Sequence, residues 1–341
     1  MTPALTPVMR ALVFDRPAPD TSATRVAELH MPQPGPGQIG INVHYAGVNF
    51  KDVMVRRGDP GYAPAWPCVP GLEVAGTIRT LGDGVSSLQI GQRVSAYTGA
   101  GGLAEVTIAD AALTAPVPPG LDLARAAVAP GALTSAALLL NQFGRLRPGE
   151  AVLVHGAAGG VGQAAAHLGR QANAGLMLGT VGNPGRIEAA RRAGYDDVLT
   201  RGEDWPTAAR AATDGRGVHL ILDPQGTTQL ELDLQALAPG GRILLFGNAS
   251  GGPLAPLPPL SQLMTTNATI TGFSLAALTA TAPDLFTEAL TDVLAYMESG
   301  DLDIEMTVVA GLPAAGEAQE ALAQGSASGK QVVRVNRGPS D

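Results

Sequence analysis

A run of glycines between residues 155 and 162 points most directly to ligand binding. It reads His155-Gly-Ala-Ala-Gly-Gly-Val-Gly162 and lies between an apolar strand pattern, Ala151–His155, and a helical pattern, Val161–Gln171. Glycine lacks the Cβ that would hold a pyrophosphate away from the backbone, and the helix start offers unpaired N–H groups and a positive dipole end. The match to the dinucleotide spacing is loose, because Ala157 stands at its first glycine, so a packing turn that binds nothing is the alternative. The predicted phosphate contacts are Gly159, Gly160 and Val161.

The residues after the second predicted strand, Leu176–Gly179, indicate which dinucleotide is bound. An NAD site usually places Asp or Glu there, to bind the ribose 2′-hydroxyl. No carboxylate occurs before Glu188, which is already in the next helical pattern, Arg186–Arg192. An Arg–phosphate bond contributes about 1.5–3 kcal/mol, so basic residues here favour NADPH; the alternative is that they are ordinary surface charges. The predicted 2′-phosphate contacts are Asn183, Arg186 and Arg201.

The predicted secondary structure around these residues changes in type along the chain. Up to about residue 130, short apolar runs such as Ile39–Val43 alternate with Gly/Pro turns, which is typical of a sandwich or a partly open barrel. From about residue 150, strands alternate with helices, which predicts an α/β region with a parallel sheet covered on both faces. A helical stretch, Pro283–Ser299, and an apolar strand, Gln331–Val335, close the chain. We expect this tail to return to the first domain.

Composition excludes several classes of protein. The 341 residues suit two domains, and the net charge of −8 without a Lys/Arg block argues against nucleic acid as the main partner. No run of about 20 apolar residues and no signal-peptide pattern occurs, so we expect a cytoplasmic protein that does not interact with membranes. The single cysteine, Cys68, and five scattered histidines show no ligand spacing, and no metal is expected.

Several sequence blocks together resemble the medium-chain dehydrogenase/reductase superfamily, in its zinc-free quinone oxidoreductase (ζ-crystallin-like) and enoyl reductase branch. The blocks are Ala46–Asp52, Pro67–Gly76, Gly91–Val94, Val152–Gly162, Asp223–Gly226 and Leu237–Ile243. The resemblance implies a GroES-like, partly open β-barrel catalytic domain at 1–130 and 275–341 and a Rossmann NADP-binding domain at 131–274. It also implies a homodimer that extends the Rossmann sheet through Ile270–Phe273.

The same resemblance implies that zinc is absent. Zinc alcohol dehydrogenases carry a cysteine ligand where this chain has Asn49, and a His-Glu pair where it has Leu72-Glu73. An amide and an alkyl chain do not hold zinc. Hydride transfer to an already electrophilic quinone or conjugated C=C is then the expected reaction.

Further site residues are implied at matching positions. Asn49 would orient a substrate carbonyl or the nicotinamide, and Thr134 would lie near the carboxamide; the alternatives are a turn-forming Asn and a helix-packing Thr. The remaining cofactor contacts, which follow the fifth and sixth strands, are Phe246, Gly247, Asn248, Phe273 and Ser274.

The proton donor is left open between several groups. Phe50 stands where many relatives have a tyrosine, which removes one candidate. Tyr62 is our catalytic candidate, while Lys51, which neighbours a carboxylate at Asp52, and water are the alternatives.

Three functions follow. The first is NADPH-dependent reduction of a small quinone or enone. The second is reduction of an enoyl thioester of CoA or a carrier protein, for which the pair Arg56-Arg57 would supply a basic rim. The third is a non-catalytic, crystallin-like cofactor-binding protein.

Overall fold

The computed structural model describes residues 7–62 and 65–336, and the chain forms two compact units, each with its own sheet. The first unit extends to Thr134 and also takes in Leu278–Gly300 and the described residues from Met306 onward. The second comprises Ser135–Ala277 and Asp301–Glu305.

The strands of the described residues are β1 Val8–Phe14, β2 Thr24–His30, β3 Gln38–Gly47, β4 Glu73–Leu81, β5 Arg93–Tyr97, β6 Val106–Asp110, β7 Thr114–Pro116, β8 Ala151–His155, β9 Leu176–Val181, β10 Asp197–Thr200, β11 Val218–Asp223, β12 Leu237–Leu245, β13 Thr269–Gly272, β14 Met306–Ala310 and β15 Lys330–Arg334.

The α-helices are α1 Phe50–Arg57, α2 Leu123–Ala126, α3 Thr134–Ala137, α4 Gly160–Gln171, α5 Ile187–Arg192, α6 Trp205–Ala212, α7 Leu230–Ala236, α8 Leu260–Thr266, α9 Leu275–Thr281, α10 Pro283–Ser299 and α11 Ala315–Ala323. In the part of the chain that the structure describes, none of them has the length and apolar character that crossing a bilayer requires.

The second unit is a doubly wound parallel sheet. Its six strands lie in the order β10-β9-β8-β11-β12-β13, and all neighbours are parallel. In order of appearance this is 3-2-1-4-5-6, the order of dinucleotide-binding folds, in which the order of the strands across the sheet reverses between β8 and β11 while their direction stays the same. The strands are apolar on both faces because helices cover the sheet, and Leu153, Leu178 and Ile221 have no exposed surface.

The first unit is built on a mostly antiparallel sheet. Its strands follow the order β14-β15-β3-β4-β5-β7, and β6 pairs with β3. The last strand, β15, lies antiparallel to β3, with Val333 opposite Ala46, so the end of the chain completes this sheet. Ile39, Ile41 and Val74 form its core without exposed surface. The predicted fold class, a GroES-like domain with a Rossmann domain, is confirmed.

The helix α1 is fixed at both ends and on its buried face. The Asp52 carboxylate accepts a hydrogen bond from the backbone N–H of Asn49, at 2.8 Å, and Gly58 ends the helix in the left-handed region, with φ of 76°. Arg56 is 1% exposed and forms an ion pair of 2.9 Å with Glu320 on α11. Arg57 is paired with Asp59 at 2.6 Å. Arg56 is therefore not available to a basic rim at this position, because it is buried against α11, while Arg57 remains partly exposed and paired with Asp59.

Candidate active site

The glycine turn after β8 has the shape that a pyrophosphate requires. Gly156 has a φ of 73°, and a Cβ on Gly162 would lie 2.5 Å from the carbonyl oxygens of Gly156 and Ala157. The helix α4 follows with Gly159 at its N-cap and without a side-chain cap. Its first N–H groups therefore have no intrahelical partner and are available to an anion. The predicted contacts Gly159, Gly160 and Val161 form this N-terminus.

Two guanidinium groups lie near this turn, at the carboxyl ends of β9 and β10. Arg186 donates from Nη2 to the carbonyl oxygen of Ala158, within the turn, at 3.0 Å. The Nη2 of Arg201 lies 2.6 Å from the position that a Cβ on Gly182 would take, so a side chain at Gly182 would displace it. The Nη1 of Arg201 is buried and has no hydrogen-bond partner among the described residues. Such an unpaired buried donor is costly without a ligand and fits the 2′-phosphate of NADP.

Asn183 precedes both arginines in the chain, and its side chain forms a local hydrogen bond. Its Oδ1 accepts a hydrogen bond from the N–H of Gly185, at 2.9 Å, and so caps the short 3₁₀ turn Pro184–Arg186. This cap directs the chain that presents Arg186.

The residues directly after β12 lie at the carboxyl end of that strand. Phe246 continues the pairing with β11, by a bond of 2.9 Å from its N–H to the carbonyl oxygen of Asp223, and Gly247 follows it. The Oδ1 of Asn248 is buried without a partner in the described structure. It is an acceptor of the kind that a carboxamide NH₂ satisfies.

Phe273 and Ser274 occupy the corresponding place after β13. Phe273 is buried and packs edge-to-face on Phe143, with 5.0 Å between ring centroids. Ser274 is exposed, and its Oγ accepts a hydrogen bond from the N–H of Ala277, at 3.3 Å. Thr134 has no exposed surface, and its hydroxyl donates to the carbonyl oxygen of Ala129 at 2.9 Å. A cofactor contact by Thr134 stays a prediction.

A buried network of acids and a histidine lies beside the turn, and the sequence analysis missed it. The ring of His155 bonds to Thr180 Oγ1 at 2.7 Å and to Asp233 Oδ1 at 2.8 Å. Asp223 lies close enough to Asp233 for each carboxyl group to affect the pKa of the other, and neither aspartate has exposed surface. Burial lowers the pKa of His155 to about 4 and raises that of Asp233 to about 8. The network therefore holds its proton on the carboxyl pair and keeps the imidazole neutral at pH 7.

In the first unit, Glu73 is the centre of a second buried polar cluster. Its carboxylate has no exposed surface and lies 2.7 Å from the Nζ of Lys330, on β15. It also accepts bonds from Asn49 Nδ2 at 2.8 Å and from the N–H of Gly131 at 2.6 Å. Lys330 Nζ in turn donates to Asn49 Oδ1 at 2.6 Å. Both polar ends of Asn49 thus have partners, and its predicted role toward a carbonyl stays untested.

This cluster does not suit zinc. Leu72 offers no ligand atom, and the carboxylate beside it is occupied by N–H donors rather than left free. No group of three or more His, Cys, Asp or Glu side chains in the described ranges is arranged to hold a metal ion.

A cavity of about 230 Å³ lies in the first unit, beside α1. Lys51 and Tyr62 are among the titratable side chains that line it, with Asp52 and Cys68. Tyr62 is half-buried, and burial raises its pKa. The structure thus brings both predicted donor candidates to one cavity.

Comparison with known proteins agrees with this description. The model of the alcohol dehydrogenase GroES-like domain matches residues 35–119, and that of zinc-binding dehydrogenases matches residues 160–292. Rat quinone oxidoreductase is 34% identical over 243 residues, which cover 70% of this chain and 73% of that protein. The pikromycin polyketide synthase component PikAII of Streptomyces venezuelae is 32% identical over 83% of this chain, which spans only 7% of that protein.

Among solved structures, the Escherichia coli quinone oxidoreductase complexed with NADPH is similar over 95% of this chain and 99% of its own, with a TM-score of 0.86 and 26% identity.

The aspartate pair makes stability depend on pH. An unfolded Asp ionises near pH 4, whereas folded Asp233 keeps its proton to about pH 8, so the free energy of unfolding falls as pH rises through this window. Asp233→Asn cannot ionise. We expect its stability relative to wild type to rise from pH 5 to pH 8, by at most about 1.4 kcal/mol per pH unit.

Urea unfolding at four pH values measures this difference. Asp214→Asn is the matched control, because the Asp214 side chain is 88% exposed. It should follow the wild-type curve. Parallel curves for wild type and Asp233→Asn would contradict the assignment of the proton to the carboxyl pair.

Proposed function

This chain belongs to the medium-chain dehydrogenase/reductase superfamily, in its quinone oxidoreductase branch, and we propose that it reduces a small quinone or α,β-unsaturated carbonyl with NADPH, without zinc. The proposal rests mainly on the cluster around Glu73, whose carboxylate is already bound by Lys330, Asn49 and the N–H of Gly131. A Lewis acid that polarises an alcohol has no ligand set here, since Leu72 and the amide of Asn49 stand at its place. The acceptor then has to be electrophilic by itself, as quinones and enones are.

The described residues fit NADPH, which would supply the hydride. The N-terminus of α4 would hold the pyrophosphate, and Arg186 and Arg201 would hold the 2′-phosphate. Asn248 would accept a hydrogen bond from the carboxamide, and Phe246 and Ser274 remain proposed cofactor contacts. In the first unit, Asn49 is proposed to orient the substrate carbonyl or the nicotinamide, and Tyr62, which lines the cavity, is proposed as a catalytic residue.

An enoyl thioester of CoA or a carrier protein is the second candidate acceptor. It is supported by the similarity to PikAII, a polyketide synthase component. The buried position of Arg56 removes the basic rim that would have favoured a phosphopantetheine group. A non-catalytic cofactor-binding protein is the third candidate, and it has no structural feature in its favour.

The choice of cofactor can be tested at the arginines. Arg186→Ala and Arg201→Ala should each raise the Kd for NADPH roughly 10- to 100-fold, because each removes an Arg–phosphate contact. The Kd for NADH should change by less than about threefold, since NADH lacks the 2′-phosphate. Titration of nicotinamide fluorescence measures both constants. Arg191→Ala is the matched control, because Arg191 lies on α5 and pairs with Glu188 at 3.1 Å. Equal losses for both cofactors would remove the 2′-phosphate assignment.

The reaction can be tested by following NADPH consumption with an aromatic quinone, a simple enone and an enoyl-CoA in parallel. We expect turnover with the quinone or the enone and little with the thioester. Preference for the thioester would favour the second candidate. If none of the three acceptors causes NADPH consumption by a protein that binds NADPH, the third candidate, a non-catalytic cofactor-binding protein, would be favoured.

We also propose that the protein forms a homodimer through the second unit. The strand β13 lies at the edge of the sheet, and it is preceded by large apolar side chains that are 60–71% exposed. These side chains are Leu254, Leu257, Leu260 and Met264. An exposed apolar patch beside an open strand edge is typical of an interface between copies.

Charged substitutions test the dimer. Leu260→Asp with Met264→Asp should convert it to a monomer, because two carboxylates would be desolvated in the interface. Size-exclusion chromatography with light scattering measures the mass. Val308→Asp is the control, because Val308 is also exposed, at 46%, but lies on β14. A wild-type protein that is already monomeric at micromolar concentration would exclude this proposal.

A further inference from the structure

Lys51 and Asp52 are adjacent on α1 but do not neutralise each other. The Asp52 carboxylate is 2% exposed and accepts hydrogen bonds from the N–H groups of Asn49, at 2.8 Å, and Gly71, at 3.0 Å. The Nζ of Lys51 instead donates to the carbonyl oxygen of Gly99, at 3.1 Å. An ammonium group has three donors, so this bond leaves two of them for another acceptor.

The surroundings make this ammonium more acidic than that of an exposed lysine. Burial lowers the pKa of Lys51, and the charge of Asp52 opposes that shift only in part. Burial raises the pKa of Asp52, which lines the same cavity, to about 6, but both of its oxygens already accept backbone N–H bonds. Burial also raises the pKa of Tyr62 and Cys68, so among the lining groups with N–H, O–H or S–H donors Lys51 is the one whose pKa moves toward neutral pH.

The cavity is small and mostly apolar apart from these groups. Its volume of about 230 Å³ lies below the ~300–1,000 Å³ of pockets for drug-sized ligands. Val55, Val69 and Pro70 provide apolar walls. A compact planar acceptor can place its ring or alkene against these walls and its oxygen toward the ammonium.

We infer that Lys51 binds the carbonyl oxygen of the acceptor in this cavity and protonates it as the hydride arrives. This inference rests on the proposed function. When bound, NADPH would supply the hydride to the β-carbon of an enone; the C=C electron pair would form an enolate, and an N–H bond of Lys51 would break as the enolate O–H bond forms. The enol would return to the saturated ketone in solvent, and the neutral amine of Lys51 would regain a proton from water. Tyr62 lines the same cavity.

Three variants test the role of Lys51. Lys51→Met should lower kcat for an enone roughly 100-fold or more, within the range that general acids contribute. Lys51→Arg keeps the charge and the N–H donors and should recover activity to within about tenfold of wild type. Tyr62→Phe, which removes the competing donor, should lose less than Lys51→Met. The Kd for NADPH should stay within about twofold in all three, which shows that the fold and the cofactor site are intact.

The pH profile separates a donor from a structural lysine. Wild-type kcat/KM should fall as pH rises through the pKa of Lys51, which burial holds below its usual value. This alkaline limb should be absent in Lys51→Met and move beyond the measurable range in Lys51→Arg, because a guanidinium does not deprotonate there.

Two outcomes are distinguishable. An active wild type with an unchanged rate and alkaline limb in Lys51→Met, or a larger loss in Tyr62→Phe, would overturn this inference and leave the proposed function standing. A wild type that binds NADPH but reduces none of the acceptors would overturn the proposed function and the inference together.

Discussion

The buried carboxylate of Glu73 needs hydrogen-bond donors and a positive charge from the protein itself, because water does not reach it. The arrangement of several elements of the first unit follows from this constraint. A buried ion costs several kcal/mol unless its hydrogen bonds and its charge are compensated. Lys330 supplies the charge, and Asn49 and the backbone of Gly131 supply further donors. These three groups come from distant parts of the chain, so the buried carboxylate at the start of β4 holds together the start of α1, the segment around Gly131 and the last strand, β15.

The same carboxylate explains two glycines. A Cβ on Gly47 would lie 2.3 Å from Glu73 Oε1, and a Cβ on Gly131 would lie 2.7 Å from Oε2. Real Cβ atoms do not approach an oxygen so closely, and backbone N–H groups can approach a carboxylate only where side chains are absent. The cation at this place is an enclosed ammonium. Its charge compensates Glu73, and it has no open position at which a substrate oxygen could bind, which a catalytic metal needs.

Local patterns in the sequence were sufficient for the fold. The apolar run Ala151–His155, the glycine turn and the strand–helix alternation predict the parallel sheet, because each depends on neighbours in the chain. The pairs Glu73–Lys330 and Arg56–Glu320 could not be predicted in this way, since hundreds of residues separate their members. One signal was available: Lys330 is one of only two lysines, and it begins the strand that carries the apolar pair Val332 and Val333.

The buried network around His155 was missed for a related reason. In the sequence, Asp223 is noticeable only as part of the block Asp223–Gly226 and Asp233 belongs to no motif, and no periodicity shows that both side chains point inward. Periodicity predicts which face of an element is apolar, and it does not predict which polar residue is buried against that expectation.

Lys51 and Arg201 have one feature in common. Each lies near a buried carboxylate, Asp52 or Asp223, that already accepts hydrogen bonds from backbone N–H groups. Asp52 is held by two backbone N–H groups, so Lys51 keeps its charge and its free donors. Asp223 accepts a bond from the N–H of Gln225, at 2.6 Å, and burial beside Asp233 raises its pKa to about 7, so its negative charge compensates that of Arg201 only in part. An unshielded cation in a desolvated place attracts an anionic or polarisable oxygen far more strongly than a paired surface charge does. The occupied carboxylates therefore matter to binding as much as the cations, although they are not expected to contact a ligand.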